Sequence, residues 1–280
     1  MLIRHGRFAP LLTLPIVIAL LALLAYPLIV TLGQAFWVDG GLSLAVVRET
    51  LSTAGFWQVL SNTVIFTVGS TLISMLLGFS FAYALEFVEG TRRFFASVLI
   101  IPLAMMPVVS ALTFGMMLDP ALGVVNAVAD LAAWSGSGWH TETPTALATV
   151  MMVDVWQWTP FCFAIIHAGF RSLPADVSEA ARIDGATARQ ELFSISLPMM
   201  GSVLLVAFVF RFMEAFKAFD VIYVMTQGGP GRASETLVIR AYKEAFLFFK
   251  PETAASIGVL LLVTTLIAAR PIGRALTKST

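Results

Sequence analysis

The sequence predicts an all-α membrane protein with six transmembrane helices and with both termini on the inner side of the membrane. Of its 280 residues, 58% are hydrophobic and only 12% are charged, whereas about a quarter of the residues of a soluble domain are charged. The mean hydropathy of +0.88 agrees with this. Several stretches also approach the roughly 20 apolar residues that a helix needs to cross a bilayer. A lipid bilayer is therefore the expected surroundings of the chain.

Six apolar stretches give the predicted spans of a single transmembrane domain over residues 1–280. The first span resembles a signal peptide, but its apolar core is too long and no cleavage site closes it, so we expect a retained anchor. Pro102 and Pro107 predict an irregular third span, and Pro160 predicts a kink or a gap in the backbone bonding of the fourth. The spans are predicted at about 8–32, 57–85, 94–117, 146–170, 198–222 and 253–269.

The positions of lysine and arginine orient these spans, because cytoplasmic loops are richer in both residues. With the N-terminus inside, the outer loop from Leu118 to Pro144 contains neither residue. The outer loop between spans five and six does carry basic residues, but longer loops follow the rule less closely. The loop of residues 171–198 is thus predicted to face the cytoplasm. The inner segments hold Arg4, Arg7, Arg92, Arg93, Arg171, Arg182, Arg189, Arg270, Arg274 and Lys278.

Composition and motifs exclude several functions. The formal net charge is zero, so nothing predicts nucleic-acid binding. The histidines are too few and too scattered for a metal site, and the only cysteine, Cys162, has no partner for an internal disulfide. No paired nucleophile and base and no G-x-x-x-x-G-K-[ST] loop occur in the sequence. We therefore expect no catalytic residue, no metal and no cofactor in this chain.

The predicted cytoplasmic loop has the local chemistry of two short helices joined by a turn. Asp176 is a natural N-cap, and Glu179 follows three residues later, as a capping box requires. Gly185 stands where a helix would end in a left-handed residue. Thr187 and Gln190 predict a second capping box at the start of the next helix. A solvated connector with good caps would have the same local features.

The full spacing of this loop is more specific. It contains E-A-A, three residues, G, nine residues and then I-x-L-P, which resembles the signature loop of binding-protein-dependent ABC transporter permeases. This resemblance implies the type I ABC importer permease fold, in which the first helix of the loop docks in a groove of a cytoplasmic ATPase. The matching positions are Glu179, Ala180, Ala181, Asp184, Gly185, Ile195, Leu197 and Pro198. The first five of these are the predicted ATPase-coupling residues.

A second stretch narrows the resemblance. The sequence "FDVIYVMTQGGPGRASETL", from Phe219 to Leu237, is similar to that of the carbohydrate-uptake branch, the maltose and glycerol-3-phosphate type, and to the first of its two paired permeases. The resemblance implies a permease subunit of an ATP-driven importer for a sugar or sugar derivative, in a bacterial or archaeal cytoplasmic membrane. The implied partners are a second homologous permease, two copies of an ABC ATPase that carry ATP and Mg, and an extracytoplasmic solute-binding protein.

Charged residues inside the spans are candidates for the solute path, because burying a charge in the bilayer centre costs roughly 2.5–3.5 kcal/mol on insertion scales. Arg211, Glu214, Lys217 and Asp220 follow one another at three-residue intervals with alternating sign, so these groups could also neutralise one another. A rise of about 1.5 Å per residue brings Arg211 and Asp154 to similar depths. We therefore predict that Arg211 and Asp154 pair or line the same cavity.

Three further polar or aromatic residues complete the predicted solute path. Trp156 and Gln157 follow Asp154 and suit a sugar, which offers C–H faces for packing and hydroxyls for hydrogen bonds. Asn62, near the outer end of span two, is the third candidate. The alternatives are interfacial or interhelical packing for the tryptophan and an interhelical hydrogen bond for the asparagine.

A secondary transporter driven by an ion gradient is the alternative function. Such transporters often contain internal repeats and buried acidic ion sites. The sequence shows no repeat, and the capped cytoplasmic helix would have no role in such a protein.

Overall fold

The computed structural model describes residues 9–38, 40–88, 90, 92–131 and 138–278, and most of these residues are helical. Its contacts divide the chain into two compact units, which comprise the described residues of 1–56 with 240–263 and of 57–239 with 264–280. The helices are α1 (Ala9–Phe36), α2 (Ala45–Ser52), α3 (Phe56–Glu86), α4 (Arg92–Ala104), α5 (Pro107–Met117), α6 (Val124–Leu131), α7 (Ala146–Ser172), α8 (Ala175–Ile183), α9 (Ala188–Gln190), α10 (Leu197–Met199), α11 (Gly201–Phe216), α12 (Asp220–Thr226), α13 (Leu237–Tyr242) and α14 (Pro251–Lys278).

Short irregular pieces join these helices. A two-stranded antiparallel ribbon pairs β1 (Trp37–Val38) with β2 (Gly41–Leu42). One 3₁₀ turn covers Trp139–Thr141, and π-helical turns cover Glu191–Ser196 and Lys243–Leu247.

Three helices in the described part of the chain are long and apolar enough to cross a membrane, namely α1 from Thr13 onward, α3 and α7. Two bent pairs bring the number to five if each pair is one span. The apolar part of α14, Pro251–Ile267, is shorter. Each predicted span overlaps helices in its described residues, and the fold is that of a helical membrane protein.

The third predicted span is broken, as its prolines indicate. Helix α4 ends at Ala104, α5 begins at Pro107, and the two are bent by 93°. Met106 has an extended backbone with ψ 138°, which is the conformation that a following proline favours. The prediction of an irregular third span is confirmed.

The fourth and fifth predicted spans differ in how well the sequence predicts their bends. Helix α7 runs without interruption through Pro160, so this proline removes one backbone donor without ending the helix. The fifth predicted span, by contrast, is bent by 69° between Ala188–Met199 and Gly201–Thr226, a bend that we did not expect.

The second unit is built around the pair of long helices α3 and α7. A Cβ atom added to Gly78 of α3 would lie 2.7 Å from both the Cβ of Cys162 and the backbone nitrogen of Phe163 on α7. The two helices therefore approach as closely as only glycine allows. Helices α4 and α11 also pack on α7, and α12 packs on α5. One apolar cluster, which includes Phe66, Val150 and Ile222, fills this packing.

Candidate functional site

The loop that follows α7 contains the predicted coupling residues. Helix α8 ends in a glycine turn in which Gly185 has φ +77°, and the amide of Ala186 donates a 2.9 Å hydrogen bond to the carbonyl of Ala181. This bond from the residue after the left-handed glycine to the last turn of the helix defines a Schellman motif. The predicted left-handed role of Gly185 is confirmed.

The two predicted capping boxes have different outcomes. Asp176 lies inside the first turn of α8, because the helix already begins at Ala175, so the prediction that Asp176 is the N-cap is wrong. Its carboxylate still favours the positive N-terminal end of the helix. The second box is confirmed, since the Thr187 amide donates to Gln190 Oε1 at 2.8 Å and the Gln190 amide donates to Thr187 Oγ1 at 3.3 Å.

Helix α8 presents most of the predicted coupling residues to solvent. Glu179, Ala180, Asp184 and Gly185 are exposed, whereas Ala181 is 7% exposed and faces inward. Ile183, which the sequence did not single out, is 82% exposed. One exposed apolar side chain does not by itself mark an interface, so the case for a partner rests on the loop as a whole.

Arg211 and Asp154 form a buried ion pair between α11 and α7. Arg211 is fully buried and Asp154 is 3% exposed, and Arg211 Nη2 donates to Asp154 Oδ2. Arg211 Nε donates to Ser74 Oγ of α3 at 3.2 Å, and the guanidinium carbon lies 5.7 Å from the centre of the Trp158 ring. The predicted pairing is confirmed, and it ties three helices together.

The remaining charges of the fifth span pair separately. Lys217 Nζ lies 2.8 Å from Glu214 Oε1, and these side chains are 66% and 31% exposed. Asp220 is exposed and begins α12. The four alternating charges thus do not form one continuous ladder, since Arg211 turns inward to Asp154 while Glu214 and Lys217 stay at the surface of the chain.

The other path candidates lie in different surroundings. Asn62 Nδ2 donates to the carbonyls of Arg232 and Glu235, at 2.8 and 3.1 Å, and therefore fastens α3 to the loop before α13. Gln157 Nε2 donates to the carbonyl of Met105 at 2.8 Å, at the break between α4 and α5. Of this group, Trp156 alone is well exposed, and its ring centre lies 4.9 Å from that of Phe114.

Apart from Asn62, a polar stripe on α3 was missed in the sequence. Its buried members recur at helical spacing, and only the last of them, Ser74, contacts Arg211. They are Asn62, Thr63, Thr67, Ser70, Thr71 and Ser74. Serine and threonine barely lower the hydropathy of a span, so a search for charges does not find them. The regular spacing of four and three residues is the signal that could have revealed this stripe.

No group of three or more His, Cys, Asp or Glu side chains that could hold a metal ion occurs among residues 9–38, 40–88, 90, 92–131 and 138–278. The described residues of the site form exposed contact surfaces and a buried ion pair. The fold and the loop together define a transport permease subunit.

A family comparison identifies the class of permease. Residues 74–276 match the family described as "binding-protein-dependent transport system inner membrane component". This match covers more than half of the chain, so the chain belongs to that family. Its members are transport subunits of the membrane and not enzymes, in agreement with the expectation from the sequence.

Several relatives have names from sugar transport. The chain is 30% identical to the trehalose/maltose transport system permease protein MalF of Thermococcus litoralis, over 85% of this chain and 83% of that protein. It is 29% identical to the sn-glycerol-3-phosphate transport system permease protein UgpA of Agrobacterium fabrum, over 79% and 76%. The resemblance to the carbohydrate-uptake branch is confirmed.

Solved structures support the fold. A bacterial ABC transporter that imports the acidic polysaccharide alginate matches with a TM-score of 0.82 at 20% identity, over 94% of each chain. The MetNI methionine ABC transporter in inward-facing conformations matches with a TM-score of 0.54 at 16% identity, over 81% of this chain and 99% of that chain. The chain therefore has the helical fold of an ABC importer permease.

Proposed function

We propose that this chain is one permease subunit of an ATP-driven importer for a sugar or sugar derivative. The observation that carries the proposal is the loop after α7, where the E-A-A and glycine positions of the family form a capped helix that ends in a Schellman turn and exposes Glu179 and Ala180. The names of the relatives support the sugar class.

Membership of the family supports a set of partners for this chain. The chain pairs with a second homologous permease, and the assembly includes two copies of a cytoplasmic ATPase that bind ATP and Mg, one of which binds α8 of this chain. A solute-binding protein delivers the solute from outside. This is supported by the bacterial alginate ABC transporter in complex with an alginate pentasaccharide-bound periplasmic protein, one chain of which matches this chain with a TM-score of 0.81. The chain itself binds no cofactor, and it crosses a bacterial or archaeal cytoplasmic membrane six times with both termini inside.

The path residues have two roles in this proposal. Trp156, Glu214 and Lys217 contact the solute, because their side chains reach the surface of the chain. The buried pair of Asp154 and Arg211 stabilises the packing of the helices that form the wall of the path. Gln157 and Asn62 belong to the wall as well, since their amides are bonded to backbone carbonyls.

ATP hydrolysis by the purified, reconstituted complex tests the function. We expect stimulation by the solute-binding protein loaded with one sugar of a panel, and loss of this stimulation in Glu179→Lys, because the substitution reverses a charge on the exposed face of α8. Glu179→Asp, which keeps the negative charge at the same position, should retain it. Uptake that follows an ion gradient, with no ATPase in the complex, would support a secondary transporter instead.

A further inference from the structure

Helix α6 carries an apolar face that the described part of the chain leaves exposed. Val124, Ala127, Val128 and Leu131 recur at spacings of three and four residues and therefore lie on one side of the helix. All four are exposed, with exposed fractions of 59% at Val128 and 88% at Leu131. We call these four residues the α6 stripe. Single apolar residues are normal on a surface, whereas a continuous row of them points to a contact.

The opposite side of α6 packs on the protein and fixes the direction in which the stripe faces. Trp139 Nε1 donates a 2.7 Å hydrogen bond to Asn126 Oδ1. Ala129 is 7% exposed, and Val125 packs on the apolar cluster that includes Phe66. Because these contacts hold one side of the helix against the protein, the α6 stripe points away from it.

The α6 stripe follows directly after a membrane-facing surface of the same composition. Helix α5 is the second half of a bent pair that is long and apolar enough to form one span. Its exposed apolar residues Val109, Leu112 and Met116 also recur at spacings of three and four. Only residues 118–123 separate α5 from α6. An apolar surface that lies in the bilayer is thus followed, after one short turn, by a second exposed apolar surface.

The chemistry around the α6 stripe favours lipid over a protein partner. Residues 118–144 of the sequence contain neither lysine nor arginine. The Asp119 carboxylate is used inside the chain, since it accepts hydrogen bonds from the amides of Ala121 and Leu122 at 2.9 and 2.8 Å. A protein interface normally has a polar rim and about one hydrogen bond per 100–200 Å², and the side chains of the stripe have no polar atom to form one. Lipid needs no such partner.

An exposed tryptophan marks the membrane boundary on the same side of the chain. Trp57 lies at the start of α3, the outer end of that span in the proposed orientation, and is 66% exposed. Tryptophan is enriched where a span meets the interface between membrane and water. The outer end of α5, from which α6 continues, belongs to the same side of the membrane.

We propose that α6 lies in the outer interface of the membrane and inserts the α6 stripe between the lipids of the outer leaflet. In this position the apolar side chains reach about 5–10 Å into the boundary between headgroups and acyl chains. The backbone of the helix satisfies its own hydrogen bonds, so it can enter this layer without cost from unpaired groups. The inference needs neither a sugar nor an ATPase, and it would stand if the proposed function failed.

Fluorescence quenching in the complete complex, reconstituted in phosphatidylcholine vesicles, locates the stripe. A bimane label on Val128→Cys reports on the stripe, and a label on Thr143→Cys reports on an exposed polar position of the same outer loop. Cys162 is fully buried and does not compete for the label. We expect a nitroxide on the upper acyl chain of the lipid to quench the Val128 label at least about threefold more than the Thr143 label, and dissolved iodide to show the reverse order. Equal quenching by iodide at both positions would overturn the inference.

The solute-binding protein distinguishes a lipid cover from a protein cover. Addition of the loaded solute-binding protein to the same vesicles should leave the quenching of the Val128 label by lipid unchanged, because lipid already covers the stripe. Protection of this label from iodide that appears only with the solute-binding protein would assign the stripe to that protein and overturn the inference.

Removal of the apolar side chains tests what holds the helix in the membrane. In the double variant Val124→Ser with Val128→Ser, a label on Leu131→Cys should lose at least about half of its quenching by the lipid nitroxide, because less apolar area is buried in the bilayer. Val124→Leu with Val128→Leu keeps the apolar surface and should retain the quenching. Equal quenching in the serine and leucine variants, with thermal unfolding unaltered, would contradict insertion of the stripe.

Discussion

Gly185 shows how one residue can fix the end of the coupling helix. Its φ of +77° lies in the left-handed region, yet a Cβ atom added there would meet no atom within 4 Å. Backbone conformation alone therefore selects glycine at this position, since side-chain space is available. A left-handed residue other than glycine costs roughly 1–2 kcal/mol, and asparagine tolerates the conformation better than most residues.

If backbone conformation and not side-chain space selects glycine at position 185, residues that differ in their tolerance of the left-handed region should differ in effect. Gly185→Val should reduce the stimulation of ATP hydrolysis by the loaded binding protein, because a β-branched residue fits the left-handed turn badly, and Gly185→Asn should retain most of it. Gly201→Ala is a matched control, since a Cβ atom there also meets nothing within 4 Å and its φ is not left-handed. Normal assembly, stimulation and uptake in Gly185→Val would contradict this role of the turn.

The buried pair of Arg211 and Asp154 makes a second prediction at the residue scale. Asp154→Asn or Arg211→Met alone leaves one charge buried without its partner, which costs about 3–5 kcal/mol. We expect each single variant to lose folded protein in thermal unfolding and to lose transport. Ser74→Ala, which removes only one hydrogen bond to the guanidinium, should cost about 1 kcal/mol.

Exchange of the two charges distinguishes a direct pair from two independent roles. The combination of Asp154→Arg with Arg211→Asp restores an ion pair between α7 and α11. We expect the combination to recover part of the stability and the transport that Asp154→Arg or Arg211→Asp alone loses. No recovery in the exchanged variant would show that the two side chains do not act on each other directly.

At the scale of elements, the close approach of α3 and α7 depends on Gly78. Gly78→Ala places a methyl group 2.7 Å from the Cys162 Cβ and from the backbone nitrogen of Phe163, and a backbone atom cannot turn away as a flexible side chain can. Overpacking of this kind costs about 1–3 kcal/mol. Thermal unfolding should show this loss for Gly78→Ala. Gly115→Ala on α5, where a Cβ atom meets nothing within 4 Å, should be neutral or stabilising; equal effects of both substitutions would contradict this packing role.

The elements also show what the sequence reveals and what it hides. Long apolar runs predict α1, α3 and α7, and Pro102 and Pro107 predict the break between α4 and α5, because proline acts locally on the backbone. The bend at Met200 lies between Pro198 and Gly201 and follows the π-helical turn of Glu191–Ser196, all of which are known causes of kinks, but the sequence analysis used Pro198 only as the start of the span. Met200 is also 1% exposed and packs in the cluster of Cys162, Phe163 and Ile166, so tertiary packing accompanies this bend.

In the candidate site, too, the sequence predicts local features better than contacts between distant residues. Local turn chemistry predicts the Gly185 turn and the Thr187 capping box, since the groups involved lie within a few residues of one another. The pairing of Arg211 with Asp154 was predictable from depth, because two buried charges of opposite sign favour each other. The bond of Gln157 to the Met105 carbonyl joins two helices, and although the prolines predict the break near Met105, no local pattern specifies which side chain of another helix bonds to it.

At the scale of the whole molecule, the orientation in the membrane decides which partner meets which surface. Helix α7 separates Leu122, which is 92% exposed, from Ile183, which is 82% exposed. In the proposed orientation Leu122 lies outside and Ile183 lies in the cytoplasm, where an ATPase can cover it. The single cysteine of the chain, Cys162, is fully buried, so the natural protein supplies an almost unreactive background for labelling.

Cysteine labelling then tests orientation and assembly together. A membrane-impermeant maleimide should modify Leu122→Cys in right-side-out vesicles and Ile183→Cys only in inside-out vesicles, while the unsubstituted chain reacts only after denaturation. Because α8 is the proposed docking helix, the bound ATPase should slow the modification of Ile183→Cys at least about tenfold and should leave that of Leu122→Cys unchanged, in proportion to the fraction of sites it covers. Modification of both positions from the same side would reverse the assigned topology, and equal rates at Ile183→Cys with and without the ATPase would remove α8 from the interface.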